Sequence, residues 1–263
     1  MNTNQLALRP SYWASVSGGK DSLFMLNLIL HNLDRYPLDG VVHFELEIDF
    51  PFIHDVIDYM ESECKRFGIP FYRIKPRKKW IEFYDMWGFP TRKTRWCNSR
   101  YKMDALMQLE EFLLSKGCYV VSYIGYCADE MNRVNGARQK KSKNIYPLVE
   151  NGIFEDTILE WAKNQPIFND YYKYNRRCGC MWCPMSSMAN HAYLLHYYPS
   201  EYEKLMSMAR DTEQIREKEL GRPFSVWQSN PMYNTEYRDK RVREKYLPAL
   251  IKQIENDERG DDW

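Results

Sequence analysis

The stretch that decides the fold is Tyr12-Trp13-Ala14-Ser15-Val16-Ser17-Gly18-Gly19-Lys20-Asp21-Ser22-Leu23-Phe24-Met25-Leu26-Asn27-Leu28. Tyr12 to Val16 reads as a short strand, and Ser22 to Asn32 as a helix with an apolar face. Between them lies Ser17-Gly18-Gly19-Lys20-Asp21-Ser22. Glycines let a backbone approach a ligand closely, and a helix start offers unpaired N–H groups and the positive end of its dipole to an anion. Lys20 adds a mobile cation, and Ser17 and Ser22 add hydroxyl donors. The loop is therefore a candidate phosphate cradle. It is not a Walker A loop, which needs four residues between its first glycine and the Gly-Lys-Ser/Thr.

Outward from this loop, strand and helix alternate. Val41–Ile48 reads as a strand, and Phe52–Phe67 as a helix ended by Gly68 and Pro70. Phe71–Ile74 is a short strand, Lys102–Ser115 a helix closed by Lys116-Gly117, and Tyr119–Gly125 an apolar strand. Such alternation implies crossover connections and an α/β fold: a doubly wound, mainly parallel sheet. Ligands of such sheets sit beyond the carboxyl ends of the strands, where Ser17–Ser22 falls. After about Asp156 the character changes, with helical patterns at Thr157–Lys163 and His191–Glu219 and a charged tail. The expected organisation is a nucleotide-binding domain over residues 1–150 and a helical extension over 151–263.

A chain of 263 residues with 44% hydrophobic and 28% charged residues suits a soluble globular protein. No apolar run reaches the roughly 20 residues needed to span a bilayer, and Met1–Pro10 lacks a signal-peptide pattern. A cytoplasmic location without membrane association is expected. Net charge is +1, yet Lys65–Lys102 holds twelve Lys/Arg against Glu82 and Asp85, with Trp80, Tyr84, Trp87 and Trp96 interleaved. Arg133, Arg138, Lys140, Lys141 and Lys143 form a second basic cluster. Basic faces suit a polyanionic partner, either a nucleotide or a nucleic acid.

Seven cysteines point to metal or redox chemistry rather than a disulfide framework. Cys178-Gly179-Cys180-Met181-Trp182-Cys183-Pro184 places three thiols within six residues, enough to converge on one metal or cluster, with Gly179 giving the backbone freedom to wrap. A fourth ligand must come from elsewhere, and Cys97, just before a helix, is the candidate. Spacing alone leaves an iron–sulfur cluster and structural Zn2+ both open. Cys64, Cys118 and Cys127 lie in or beside apolar elements and read as small buried hydrophobes. His191 and His196, five apart, do not share a helical face and are not expected to form a metal pair. Tyr171, Tyr172 and Tyr174 are expected to pack, and Glu213–Glu219 to be a solvated, charge-paired helix.

Taken together, these blocks resemble the phosphoadenosine-phosphosulfate (PAPS) reductase family of PP-loop proteins, over about residues 10–190. Ser17–Ser22 resembles its PP-loop. Arg95-Trp96-Cys97 with Lys102 resembles its Arg-Trp-Cys block, and Gly125–Arg133 its Gly-x-x-x-Asp-Glu-Ser-x-Arg block. Tyr146-Pro147-Leu148 and Arg177–Pro184 resemble its Tyr-Pro-Leu and Gly-Cys-x-x-Cys-Pro blocks. The resemblance implies an adenine nucleotide alpha hydrolase-like fold. It implies that Ser17, Gly18, Gly19, Lys20, Asp21 and Ser22 bind phosphate, faced by Arg133 with Glu130 or Asp129 orienting it. It also implies a [4Fe-4S] cluster on Cys97, Cys180 and Cys183. Cluster-bearing members usually carry a Cys-Cys pair at the first position; here Trp96 replaces one partner, and Cys178 could supply the missing thiolate.

Sulfonucleotide reductases resemble one another in a C-terminal Glu-Cys-Gly-Leu-His segment, and this chain has no cysteine after Cys183. The expected activity is therefore adenylylation by ATP or a related adenine nucleotide, with Mg2+ bridging its phosphates and Asp21 within reach of the ion. Lys20, Asp21 and Arg133 are the expected catalytic groups. Sulfur would then displace AMP, with a sulfur or electron donor and a nucleic-acid or other sulfur acceptor as partners, in a monomer or an oligomer. Sulfonucleotide reduction is the first alternative. A nucleic-acid-binding or regulatory protein with structural zinc is the second.

Overall fold

The computed structural model describes residues 8–136 and 143–258. Five strands form one sheet: β1 (Arg9–Val16), β2 (Gly40–Phe44), β3 (Phe71–Ile74), β4 (Cys118–Tyr123) and β5 (Lys143–Ile145). The helices used below are α1 (Lys20–Leu30), α2 (Phe52–Arg66), α3 (Trp80–Trp87), α4 (Met103–Ser115), α5 (Met131–Gly136), α6 (Pro147–Glu150), α7 (Glu155–Lys163), α8 (Tyr171–Tyr174), α9 (Met188–Tyr197) and α10 (Pro199–Leu220). Contacts divide the described residues into two compact units. The first lies within Met1–Leu46, Phe50–Arg77 and Lys102–Asn169, the second within Glu47–Asp49, Lys78–Tyr101 and Asp170–Trp263.

In the first unit every strand pairing is parallel, and the order is β3-β2-β1-β4-β5. This is the expected α/β sheet. The chain runs from β1 outward through β2 to β3, then returns to the other side of β1 for β4. The switch point thus lies between the carboxyl ends of β1 and β4, where such sheets bind ligands. Trp13 anchors one face, packed with Val42, Val120 and the α4 residues Leu109 and Leu113. Its register partner is Gly40, where a Cβ would stand 2.7 Å from the indole. Asp39 fixes the neighbouring edge by accepting from the Tyr12 N–H (2.8 Å) and the Ser11 hydroxyl (3.1 Å).

A simple cut at residue 150 does not reproduce these units. Residues 151–169 stay with the sheet because α7 packs on α1. Residues 78–101 go with the second unit because their aromatics are core there. Trp80 is fully buried, with ring centroids 5.1 Å from Trp96 and 5.0 Å from Trp182. Phe83 stacks on Trp96, and Phe89 meets Trp227. The rings interleaved with the basic run therefore build mainly a hydrophobic core, although Trp87 is exposed. Several of its cations are neutralised: Arg66 by Glu63, Arg73 by Asp58 and Glu61, Lys75 by Glu45, Arg77 by Asp104 and Glu111.

Further elements differ from expectation. The β2 strand stops at Phe44, short of Ile48, whose carbonyl instead accepts from the Met181 N–H (2.8 Å) within the second unit. The pattern over His191–Glu219 is two helices, α9 and α10, because Pro199 cannot continue α9 and instead starts α10. Glu213 is not solvated. Its buried carboxylate accepts from the Val226 N–H (3.0 Å) and the Thr235 N–H (2.9 Å), while Arg216 and Glu219 do form the expected surface pair. Arg138, Lys140 and Lys141 lie outside the described residues.

Candidate functional site

The Ser17–Ser22 turn is fixed by its own chain. Gly18 sits at φ +74°, a conformation that disfavours side chains, and a Cβ there would meet Ile53 at 2.7 Å. The Ser22 hydroxyl donates to the Gly19 carbonyl (2.9 Å) and accepts from the Ser17 N–H (3.2 Å), closing the turn over the start of α1. Gly19 caps the helix without a side chain, so no hydroxyl or carboxylate competes there with an incoming anion.

Lys20 is buried, and its ammonium is held by Asp21 (2.8 Å) and Glu155 (3.0 Å). Burial opposes the charge, but the two carboxylates outweigh it and raise the Lys20 pKa above its ordinary value. Asp21 is pushed up by burial and by repulsion from Glu155 and Glu130, with Lys20 pulling against them.

The segment after β4 faces the same carboxyl end of the sheet. A Cβ at Gly125 would lie 3.2 Å from the Asp21 carbonyl oxygen, so this glycine lets the two loops come together. Glu130 is buried and accepts from Arg133 (2.7 Å) and from the Cys127 N–H (3.4 Å). Arg133 lies 4.1 Å over the Tyr126 ring, which stacks on Tyr146. Of the two acids expected to orient Arg133, Glu130 does so, and Asp129 is exposed. Lys20, Asp21, Glu130 and Glu155 thus form one charged neighbourhood, with Arg133 at its margin.

Glu155 was not foreseen. Its only signal is an acidic residue opening an amphipathic helix, which many solvated helices share. His43 was also missed. It is buried at the end of β2, its Nδ1 is 3.0 Å from the Val16 carbonyl oxygen, and burial lowers its pKa.

In the second unit, none of the four expected ligand cysteines is in a disulfide. Cys180 is buried, and Cys97, Cys178 and Cys183 are half-buried. Cys97 opens a π-helical segment, Cys97–Lys102. Trp182 Nε1 and both amide atoms of Asn175 are buried near this motif in sequence without a hydrogen-bond partner. The donor chemistry suits a thiophilic metal or cluster. The arrangement does not, because among the described residues no three His, Cys, Asp or Glu side chains are placed to hold a metal ion. Gly179 lies outside the positive-φ region, so the turn does not depend on glycine there.

The remaining cysteines and histidines follow their bland readings. Cys64 and Cys127 are buried, with burial pushing both thiols up, Cys64 to about 12, and Cys118 packs beside the Trp13 core. His191 is buried and accepts from Arg238 Nε (3.0 Å), whereas His196 is exposed. Tyr171 packs edge-on against Tyr193.

A parallel sheet with a glycine-rich loop at its switch point defines an α/β protein of the class that binds its ligand beyond the carboxyl ends of its strands. Within that class the chain belongs to the PAPS reductase family, because the phosphoadenosine phosphosulfate reductase domain matches residues 11–185. It is 26% identical over 230 residues to an uncharacterised protein of Methanocaldococcus jannaschii; the match covers 82% of this chain and 52% of that protein. The chain thus spans about half the length of that relative.

Two solved structures are similar at low identity. One is the U34-tRNA thiolase NcsA from Methanococcus maripaludis with its [4Fe-4S] cluster (19% identity, TM-score 0.42, covering 82% of this chain and 75% of that one). The other is the PAPS reductase of Candida auris in a phosphate complex (12%, TM-score 0.39, covering 65% and 81%). No helix among the described residues is long and apolar enough to cross a membrane.

Proposed function

We propose that the chain is a PP-loop enzyme that binds ATP or a related adenine nucleotide across Gly18–Ser22 and activates a substrate by adenylylation, for sulfur transfer. The observation that carries this reading is Lys20, buried at the start of α1 and clamped between Asp21 and Glu155 beside an uncapped helix start. A substrate oxygen attacks the α-phosphorus, the bond from that phosphorus to the bridging oxygen breaks, and pyrophosphate leaves with the negative charge. Lys20, the Ser17 and Ser22 hydroxyls and the first-turn N–H groups meet that charge as it grows, where fixed donors accelerate most. Arg133, aimed by Glu130 and Tyr126, is the second cation.

Three carboxylates, Asp21, Glu130 and Glu155, stand against the two cations Lys20 and Arg133. A bare triphosphate would enter an acidic surrounding, so the nucleotide is expected as its Mg2+ complex, with Asp21 the nearest candidate to share the ion. Cys97, Cys178, Cys180 and Cys183 are proposed to supply thiolates to a [4Fe-4S] cluster, a group whose chemistry is sulfur or electron carriage. Binding it requires them to draw together, and no step above runs through it. Pyrophosphate release from ATP and Mg2+ tests the reading, with a set of sulfur-acceptor substrates added in turn. Release that Lys20→Ala abolishes supports it. Absence of nucleotide binding by calorimetry overturns it.

A further inference from the structure

The second unit holds a cleft of about 680 Å³ that the nucleotide reading does not use, and much of its lining lies beyond residue 185, outside the family match. One wall is the turn Thr91–Thr94, where the Thr91 hydroxyl oxygen accepts from the N–H groups of Lys93 (3.1 Å) and Thr94 (2.9 Å), with Arg92 and Lys93 between. The other wall is the segment from Arg222 to Asn234. It is tied down by the Phe224 N–H donating to Glu217 (3.0 Å), the Val226 N–H to Glu213 (3.0 Å) and the Ser225 hydroxyl to the Tyr233 carbonyl (2.9 Å). The Arg92 N–H reaches the Val226 carbonyl (3.4 Å) and joins the two walls. This is a built cleft.

Its chemistry is one-sided. Arg92, Lys93 and Arg222 line it and make no ion pair with any described residue. The single lining carboxylate, Glu217, is already engaged by the Phe224 N–H. Asn230 and Asn234 use their side-chain oxygens to cap Met232 N–H and Tyr237 N–H, so what remains of each amide is a donor. Phe224 is half-buried in the lining and Met232 is 69% exposed, giving apolar surface beside the cations. Unpaired cations, N–H donors and an aromatic face together match phosphodiesters with attached bases. A cleft of this size admits unpaired bases to the Phe224 and Met232 surface, which a duplex keeps stacked inside.

We infer that this cleft binds single-stranded nucleic acid, through backbone phosphates at Arg92, Lys93 and Arg222 and base contact at Phe224 and Met232. Such binding needs no turnover at Ser17–Ser22, so it stands or falls separately from the proposed adenylylation. The test is fluorescence anisotropy of the full chain with labelled single-stranded RNA and DNA of about ten nucleotides, across a salt series. The triple variant Arg92→Ala/Lys93→Ala/Arg222→Ala should weaken binding by about tenfold or more. It should also flatten the dependence of log K on log salt by roughly 2, the share of three phosphate contacts. Phe224→Leu should weaken binding with the salt slope unchanged, and Arg92→Lys/Arg222→Lys should keep the slope. The tighter of the RNA and DNA arms names the physiological polymer. Three outcomes overturn the inference: no binding by the wild-type chain, a triple variant within about twofold of it, or polyglutamate competing as well as the oligonucleotide, which assigns the cleft to an acidic protein. Arg92, Lys93 and Arg222 are exposed with no side-chain hydrogen bonds, so unchanged thermal midpoints should accompany each result.

Discussion

Ser17–Ser22 and Cys178–Cys183 are both six-residue, glycine-containing segments dense in reactive groups, and the molecule treats them differently. The first is complete as folded: Gly18 in its left-handed conformation, Ser22 bonded across the turn, Lys20 held by two carboxylates. The second has three thiols close in sequence and outside any disulfide, yet among the described residues they are not gathered into a ligand set. The difference lies in the groups. Backbone N–H groups at a helix start are fixed by the helix itself, and the two carboxylates around Lys20 offset the cost of burying its charge. Thiolates gathered without a metal would repel one another, so a thiolate site is completed only by the ion that deprotonates and neutralises it.

The largest effect that could break this comparison is at Lys20. Lys20→Ala removes the cation at the leaving group and leaves Asp21 and Glu155 facing each other. Pyrophosphate release should fall by about 10² to 10³-fold, and stability by about 3 kcal/mol because the partners of a buried pair are orphaned. A variant that still turns over would mean the cradle is not the reacting site. Next in size is the metal content of the cysteine region. After anaerobic purification, about four irons per chain with absorbance near 400 nm are expected, falling to below one in Cys180→Ser and unchanged in Cys64→Ser. About one zinc without colour would make the same thiols a structural clip.

The glycines sharpen the contrast further. Gly18→Ala must adopt φ +74° and push on Ile53, so a loss of about 1–3 kcal/mol in urea unfolding is expected. Ile53→Ala should recover part of that loss in the double variant, a non-additivity the pair's contact requires. At Gly179 a Cβ meets nothing within 4 Å and φ is not positive, so Gly179→Ala should stay within about 0.5 kcal/mol of wild type.

These cases also explain what was legible in the sequence. The cradle was readable because its physical requirements are contiguous: glycine where φ is positive, then a lysine and hydroxyls at a helix start. The parallel sheet was readable because alternation of strand and helix constrains topology. Glu155 was not, because its partner lies 135 residues away and nothing in an acidic helix start announces a buried lysine. The role of the aromatics in the run from Lys65 to Lys102 was not legible for a related reason. Trp80 and Trp96 are as hydrophobic as they are able to stack on bases, and only the fold reveals that Trp182 comes to meet Trp80. The cleft beside Arg92 was invisible because its second wall begins more than a hundred residues later.

The smallest expected effect compares the units by their buried histidines. His43 in the first unit and His191 in the second are both held neutral, each with its pKa lowered by burial first; Arg238 adds to the shift at His191, and Glu45 opposes it at His43, where Arg73 and His54 assist it. A histidine whose folded pKa is depressed contributes stability above its unfolded value near 6.5, and that contribution is lost as pH falls through this value toward the folded pKa. Each group should therefore cost up to about 1.4 kcal/mol per pH unit below 6.5. The loss should run further for His191, which is lowered well below the ordinary value beside a buried arginine. His191→Gln keeps an oxygen acceptor for Arg238 and cannot titrate. Urea midpoints at pH 7.5 and about 5.5 should then converge more in this variant than in His43→Gln. Equal slopes in wild type and His191→Gln would place the acid sensitivity of the second unit elsewhere, with the buried Glu213 excluded because its raised pKa gains stability as pH falls.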